Sequence, residues 1–222
     1  MAVLDTLRVE RAHRDEILIS AGFAPGAGGP ELLPGFQFAL EDAHEHVSAM
    51  PWPAFVLNEY MEIACANRLI ELVWGVDVER ELPESVDRNL MRFASDPRFG
   101  DRMGNWDELI KVAIAVFKGH HRGPETLDEP STYFSSVLDE FLKGDSSYIT
   151  RMMQAWSETD PIEAKIRWTY PVVWDEPDIG QMRFLSVVNP CNHSLGLAFN
   201  DWVPLDADTW GRLAALQARD AR

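Results

Sequence analysis

A chain of 222 residues, 46% hydrophobic and 25% charged, has the composition of a folding globular protein with room for one large domain, which excludes a fibrous or wholly disordered chain. Asp plus Glu number 36 against 20 Lys plus Arg, a formal net charge of −16, so phosphate backbones and anionic lipid are repelled on average and direct DNA binding by this segment is disfavoured. Two cysteines, no basic-then-apolar leader and no apolar run of about 18 residues lead to the expectation of a cytoplasmic chain that does not enter the membrane.

Arg11 to Ala21 places Ile17 and Leu18 at helical spacing, and Gly22 followed by Pro25 supplies stop signals, so a short helix is predicted there. The stretch AGFAPGAGGPELLPG, residues 21 to 35, is too rich in Gly and Pro for regular structure. It reads as a linker and divides the chain into 1–35 and 36–222. Phe36 to Met50 is an amphipathic helix by the spacing of Phe36, Ala39, Leu40, Ala43 and Val47. Ala54 to Leu57 and Met61 to Ala66 are apolar runs around Asn58-Glu59, the signature of a hairpin, after which Asn67 opens a helix from Arg68 to Trp74. Trp106, Leu109, Ile110, Ala113, Ile114 and Phe117 recur at three and four, a stripe too regular for a strand. Two shorter helices follow, one with Tyr133, Phe134, Val137, Leu138 and Phe141 on its face. The other carries Tyr148, Ile149, Met152, Met153 and Trp156, with Asp145 or Ser146 as its cap.

From Lys165 the period changes to two, with Ile166, Trp168, Tyr170, Val172 and Trp174 alternating against polar neighbours and proline. DEPDIG is a turn, Gln181 to Val188 a second strand, NPCNHS another turn and Leu195 to Trp202 a third strand; Asp206 or Asp208 then caps a helix with Trp210, Leu213 and Leu216. A hairpin, a run of helices and a three-stranded meander predict an α+β domain, one five-stranded antiparallel sheet with helices on one face and a pocket beneath them.

Several segments resemble a known family. AFVLNEYMEIACANRLIELVWG is similar to the opening of the PAS-like ligand-binding domain of MmyB-like transcription regulators, where two strands end in an Asn that starts a helix, the place of Asn67. NLMRFASDPRFGDRMGNWDELIKVAIAVFKG looks like that family's Asp-Pro pair with a Trp about ten residues on, the places of Asp96, Pro97 and Trp106. SSYITRMMQAW resembles its helix with an Arg and a closing Trp, here Arg151 and Trp156, and LDTLRVERAHRDEILISAGFAP is similar to the tail joining such domains to an Xre-type helix-turn-helix, which this chain lacks. The resemblance implies a PAS-like sheet and a cytoplasmic sensor, a homodimer whose bound ligand, fatty-acid-like among the options, alters dimerisation or DNA affinity. DNA would be met only through a helix-turn-helix not present here.

An apolar ligand tail gains about 0.8 kcal/mol for each methylene removed from water, while one or two polar groups fix its head. Candidate walls are Phe117, Phe134, Met152, Met153, Trp156, Trp168 and Phe184, and Arg151 and Arg183 are candidates for gripping a carboxylate head. No catalytic residues, cofactor or metal are expected. Asp42 with His46, and His120 with His121, have weak metal spacing without HExxH, and Cys65 and Cys191 read as small buried hydrophobes. GxSxG elbows, GxxxxGK[ST] loops and CxxCH are missing, and GAGG at 26 to 29 lacks the strand and helix of a dinucleotide fingerprint. Two alternatives stay open: an interaction module with an acidic surface, and a small hydrolase-like enzyme using His44, His46 or His193.

Overall fold

The computed structural model describes residues 40–58, 60–120, 139, 141–160, 168–192 and 197–220. The predicted N-terminal helix, the Gly/Pro linker, and most of the helix predicted around Phe134 lie outside them. The described order is α1 (Leu40–Ser48), β1 (Ala54–Leu57), β2 (Ile63–Ala66), α2 (Arg68–Trp74), α3 (Val78–Glu81), α4 (Leu90–Ala94), α5 (Pro97–Gly100) and α6 (Trp106–His120). Then come α7 (Ser146–Glu158), β3 (Trp168–Glu176), β4 (Gly180–Asn192), β5 (Leu197–Pro204) and α8 (Ala207–Asp220). The strands form one antiparallel sheet in the order β2-β1-β5-β4-β3, so the last strand inserts beside the first. This is the expected α+β sheet.

The β1–β2 hairpin is built by Asn58, whose Oδ1 accepts from the N–H groups of Tyr60 and Glu62, both at 3.0 Å. Met61 has φ 63°, left-handed and rare for a side chain of its size, and β2 begins only at Ile63 instead of at Met61 as predicted. Asn67 then ties three elements together. Its Oδ1 accepts from Ile70 N at 3.0 Å, capping α2, and from Ala54 N at 3.1 Å on β1; its Nδ2 donates to Val47 O at 3.2 Å and Trp52 O at 2.8 Å. Asp145 caps α7, accepting from Ser147 N at 2.8 Å, and Asp206 does the same for α8 through Thr209 N at 2.8 Å.

Alternation divides the sheet into two faces. Phe55 and Leu57 of β1, Tyr170, Val172 and Trp174 of β3, Met182, Phe184 and Ser186 of β4 and Trp202 of β5 share the interior one, in register. Against it pack Ile70, Val73 and Trp74 of α2, Phe93 of α4, Phe99 of α5, and Leu213 and Leu216 of α8. On the reverse face α1 covers β1 and its neighbours: Val56 is fully buried, and the His46 ring stands 4.9 Å from Phe199. A second cluster joins α4, α6 and α7 through Ala94, Trp106, Ile110, Ile114, Tyr148 and Met152. The short helices α3 to α5 have no periodic stripe to announce them, because four or five residues are too few to show one.

Candidate functional site

The interior face of the sheet is aromatic around Trp202, whose ring centroid lies 5.6 Å from Phe184, 5.9 Å from Trp174, 6.0 Å from Trp74 and 6.1 Å from Phe55. Most of these pairs are tilted or edge-on, the arrangement the ring quadrupole favours. What sets this face apart is its polar content. Trp74 Nε1, Trp174 Nε1 and Trp202 Nε1 are buried without a hydrogen-bond partner, as are Arg88 Nε and Arg92 Nε, while the Ser186 hydroxyl lies beside that of Tyr170. The indoles of Trp106 and Trp52, by contrast, are matched, Trp106 Nε1 donating to Ala94 O at 2.8 Å and Trp52 Nε1 to Asp201 Oδ1 at 3.1 Å. A buried donor left unpaired costs roughly 1–3 kcal/mol, so three indoles at one face are a substantial cost against a typical domain stability of about 5–15 kcal/mol.

Register sets Ser186 between Trp202 on one side and Tyr170 on the other. Burial pushes the Tyr170 hydroxyl above the ordinary phenol value, and the Ser186 hydroxyl beside it offsets part of that shift. One strand position further, Asn200 is also buried on this face. Among the described residues no charged residue is buried as a whole, but the Nε atoms of Arg88 and Arg92 are. The half-buried Lys118 is already engaged, donating to Trp156 O at 2.6 Å and Thr159 O at 2.9 Å and lying 4.8 Å from the Trp156 ring. The interior face can therefore donate hydrogen bonds, and the flanking α4 region adds the buried guanidinium nitrogens of Arg88 and Arg92.

Trp74 is also a wall of an open cleft of about 500 Å³ at the end of α2, shared with Phe99, Arg98, Arg102, Asp175 and Glu176. Arg102 Nη1 reaches Glu176 Oε2 at 3.0 Å across its mouth, and Arg98 forks onto Asp96, Nη2 to Oδ2 at 2.8 Å. Neither the cleft nor the indole trio stood out in the sequence. Trp74 and Trp202 belong to distant segments, and only the register shows them to be neighbours.

Of the predicted walls, Phe184 is fully buried on the interior face, Met152 is buried between α6 and α7, and Phe117 stands 6.0 Å from the Trp156 ring. Met153 is 48% exposed. Trp168 pairs with Val188 at the start of β3, and Phe134 lies outside the described residues. The predicted head-group arginines are not brought to the interior. Arg151 is exposed on α7, its guanidinium 4.3 Å from the Trp106 ring and its Nη2 2.9 Å from Asp107 Oδ1, and Arg183 is exposed on β4. Helical and strand phase decides this: Arg151 is next to the buried Met152, and Arg183 alternates with the buried Met182 and Phe184. Cys65 is half-buried on β2, and among the described residues no group of three or more His, Cys, Asp or Glu could hold a metal ion.

The motif residues have structural work. Asp96 caps α5, accepting from Arg98 N at 2.9 Å, with Pro97 at the first helical turn, and buried Trp106 begins α6. Burial raises the Asp96 carboxyl, but hydrogen bonds from the Arg98 side chain and backbone outweigh it and leave the group below its ordinary value. The family model for the MmyB-like transcription regulator ligand binding domain matches residues 42–184. The chain belongs to this family. The MmyB-like match runs from α1 into β4 and takes in most of the interior face; β5 and α8, which add Trp202 and Leu213, follow it. The family is one of regulatory ligand-binding domains and not an enzyme class, and no curated protein matches the chain. Among the described residues no helix is long and apolar enough to cross a membrane.

Proposed function

We propose that this MmyB-like domain senses a small apolar or amphipathic molecule, a fatty-acid-like compound being one member of that class, held between the interior face of the sheet and the helices that cover it. The observation that carries this reading is the set of three buried, unpartnered indole donors, Trp74, Trp174 and Trp202, on a largely apolar face. A folded chain keeps nearly all its buried polar groups paired, and a bound molecule is one way to pair them. Phe184 is the proposed wall on that face, and Met152, Phe117 and Trp156 are proposed as a neighbouring wall in the α6–α7 cluster, adaptable where methionine lines it. Occupancy would bias a dimer, and through it a DNA-binding part of the regulator, by favouring one packing of helices over another.

The test is native mass spectrometry of the purified chain, repeated on the same sample after denaturation and organic extraction. A released amphiphile in near-stoichiometric amount supports the sensor. An empty protein that gains no thermal stability from a panel of fatty acids and neutral lipids overturns it. A strongly salt-dependent complex with a basic protein would then favour the acidic interaction surface, since the chain carries a net charge of −16.

A further inference from the structure

We infer that the outward face of β3, β4 and β5 is a self-association surface, on which two copies of this chain meet about a two-fold axis that sets Arg183 of each against Asp201 of the other. This gives the dimer of the sensing reading a place without depending on the ligand. Alternation defines the face: Val172, Phe184 and Trp202 point to the interior, so Pro171, Val173, Leu185 and Val203 point away from it. In register they form rungs, Val173 beside Arg183 and Pro171 beside Leu185 and Val203. Leu205 extends the first rung, its N–H donating to Arg183 O at 2.9 Å. Among the described residues the helices packed on the sheet lie on the interior side, apart from α1, which lies over β1 and β2. Pro171 and Arg183 are exposed, Leu205 is 49% exposed, and Val173, Leu185 and Val203 are half-buried.

Charge then selects what covers this apolar strip. Two copies of a chain with net charge −16 repel each other, and they approach at least cost where the facing surfaces are apolar and carry opposite charges at matched positions. The strip has that pattern. Arg183 lies one rung to one side of Leu185, and Asp201, beside Val187 in the register, lies one rung to the other. An isologous contact turns one copy against the other. A two-fold axis running across the strands at the Leu185–Val203 rung therefore lays Arg183 of each copy over the Val187–Asp201 rung of the other, and the charge match is made twice. Asp201 gives Oδ1 to Trp52 Nε1 at 3.1 Å, which fixes the carboxylate and leaves Oδ2 for a guanidinium. A basic partner would be drawn to the acidic remainder of the surface, not to a strip whose central charge is a cation. Three strands about 4.8 Å apart, with same-face residues about 6.8 Å apart, make a patch of roughly 300 Å². A stable complex uses about 800 Å² per partner, so this association is weak and reversible.

The test is sedimentation velocity of the full chain from about 1 μM to about 500 μM at physiological salt, with thermal melts to check that each variant folds. The parent should show a concentration-dependent monomer–dimer equilibrium. Leu185→Glu should abolish it, and Arg183→Asp and Asp201→Arg should each weaken it at least about tenfold. Mixed in equal amounts, the two charge reversals should associate with each other about as tightly as the parent does with itself, because each supplies the charge the other has lost. A merely structural role for either residue would not produce that rescue. Should Asp201→Arg fold poorly, Asp201→Asn keeps an oxygen for Trp52 and should weaken the dimer by at least about threefold. A parent that stays monomeric throughout overturns the inference, as does a dimer indifferent to these changes or a mixture that restores nothing. A monomer that Leu185→Glu destabilises also overturns it, since the strip is then covered from within the chain. Release of a ligand on extraction is read separately, so failure here leaves the sensing reading standing.

Discussion

Removing the Asn67 side chain should unfasten the start of the domain, and the size of the effect follows from its four hydrogen bonds. Asn67→Ala deletes the cap on α2, worth about 1 kcal/mol, and strips the buried Ala54 N–H of its acceptor. It also removes the Nδ2 donor that joins α1 and the following segment to the sheet, leaving Trp52 O unpaired while Val47 O keeps the Met50 N–H. With roughly 1 kcal/mol or more for each buried group left unpaired, the expected loss is about 3–5 kcal/mol. That is a large share of a typical total of about 5–15 kcal/mol, and corresponds to a fall in Tm of about 10 °C for a chain of this size. Urea titration followed by tryptophan fluorescence would measure it, with Asn67→Ser as the partial restoration: its hydroxyl can still cap α2 but cannot bridge to Val47 and Trp52. The serine variant should recover about 1 kcal/mol. An alanine variant that loses less than about 1 kcal/mol would refute the reasoning, because Asn67 would then be a helix cap and nothing more.

Gly100 lies so close to Tyr148 that a Cβ would stand 2.6 Å from the ring, so Gly100→Ala should cost about 1–3 kcal/mol by overpacking. Combining it with Tyr148→Ala, which removes the obstacle, should give a double variant clearly less destabilised than the sum of the two singles; strict additivity in the same urea assay would count against the clash. Stability should also fall steeply in acid. Hydrogen bonds from Arg98 overcome burial and hold Asp96 below its ordinary value of 3.8, and the residues capped by Asp145 and Asp206 lower those two as well. A carboxylate depressed in the folded state stays ionised while the unfolded chain takes up protons, so this contribution is intact above about pH 4 and is lost as pH falls through the folded values. Urea midpoints measured from pH 6 to pH 2 should decline, and Asp96→Asn, which keeps an oxygen for the cap, should make the decline shallower. An unchanged slope would remove Asp96 from the explanation.

Local chemistry made much of this protein legible from its residues alone. Period two marked β3 and β4, period 3.6 marked α6 and α7, and Asn67 and the Asp206 or Asp208 pair of candidates announced helix starts because a side-chain oxygen at a cap acts within three residues of itself. The family was equally readable, since its motifs lie in sequence order within 42–184. The order β2-β1-β5-β4-β3, however, depends on pairing Ala54–Leu57 with Ala198–Asp201, well over a hundred residues away, which no local pattern encodes. The same holds for the candidate site. Chemistry ranks Arg151 and Arg183 as head-group partners, although helical and strand phase sets both away from the buried Met152 and Phe184, and only tertiary packing gathered Trp74, Trp174, Trp202 and Ser186 onto one buried face. Whether a donor is satisfied is a property of what surrounds it, and those surroundings come from distant segments brought together by the sheet.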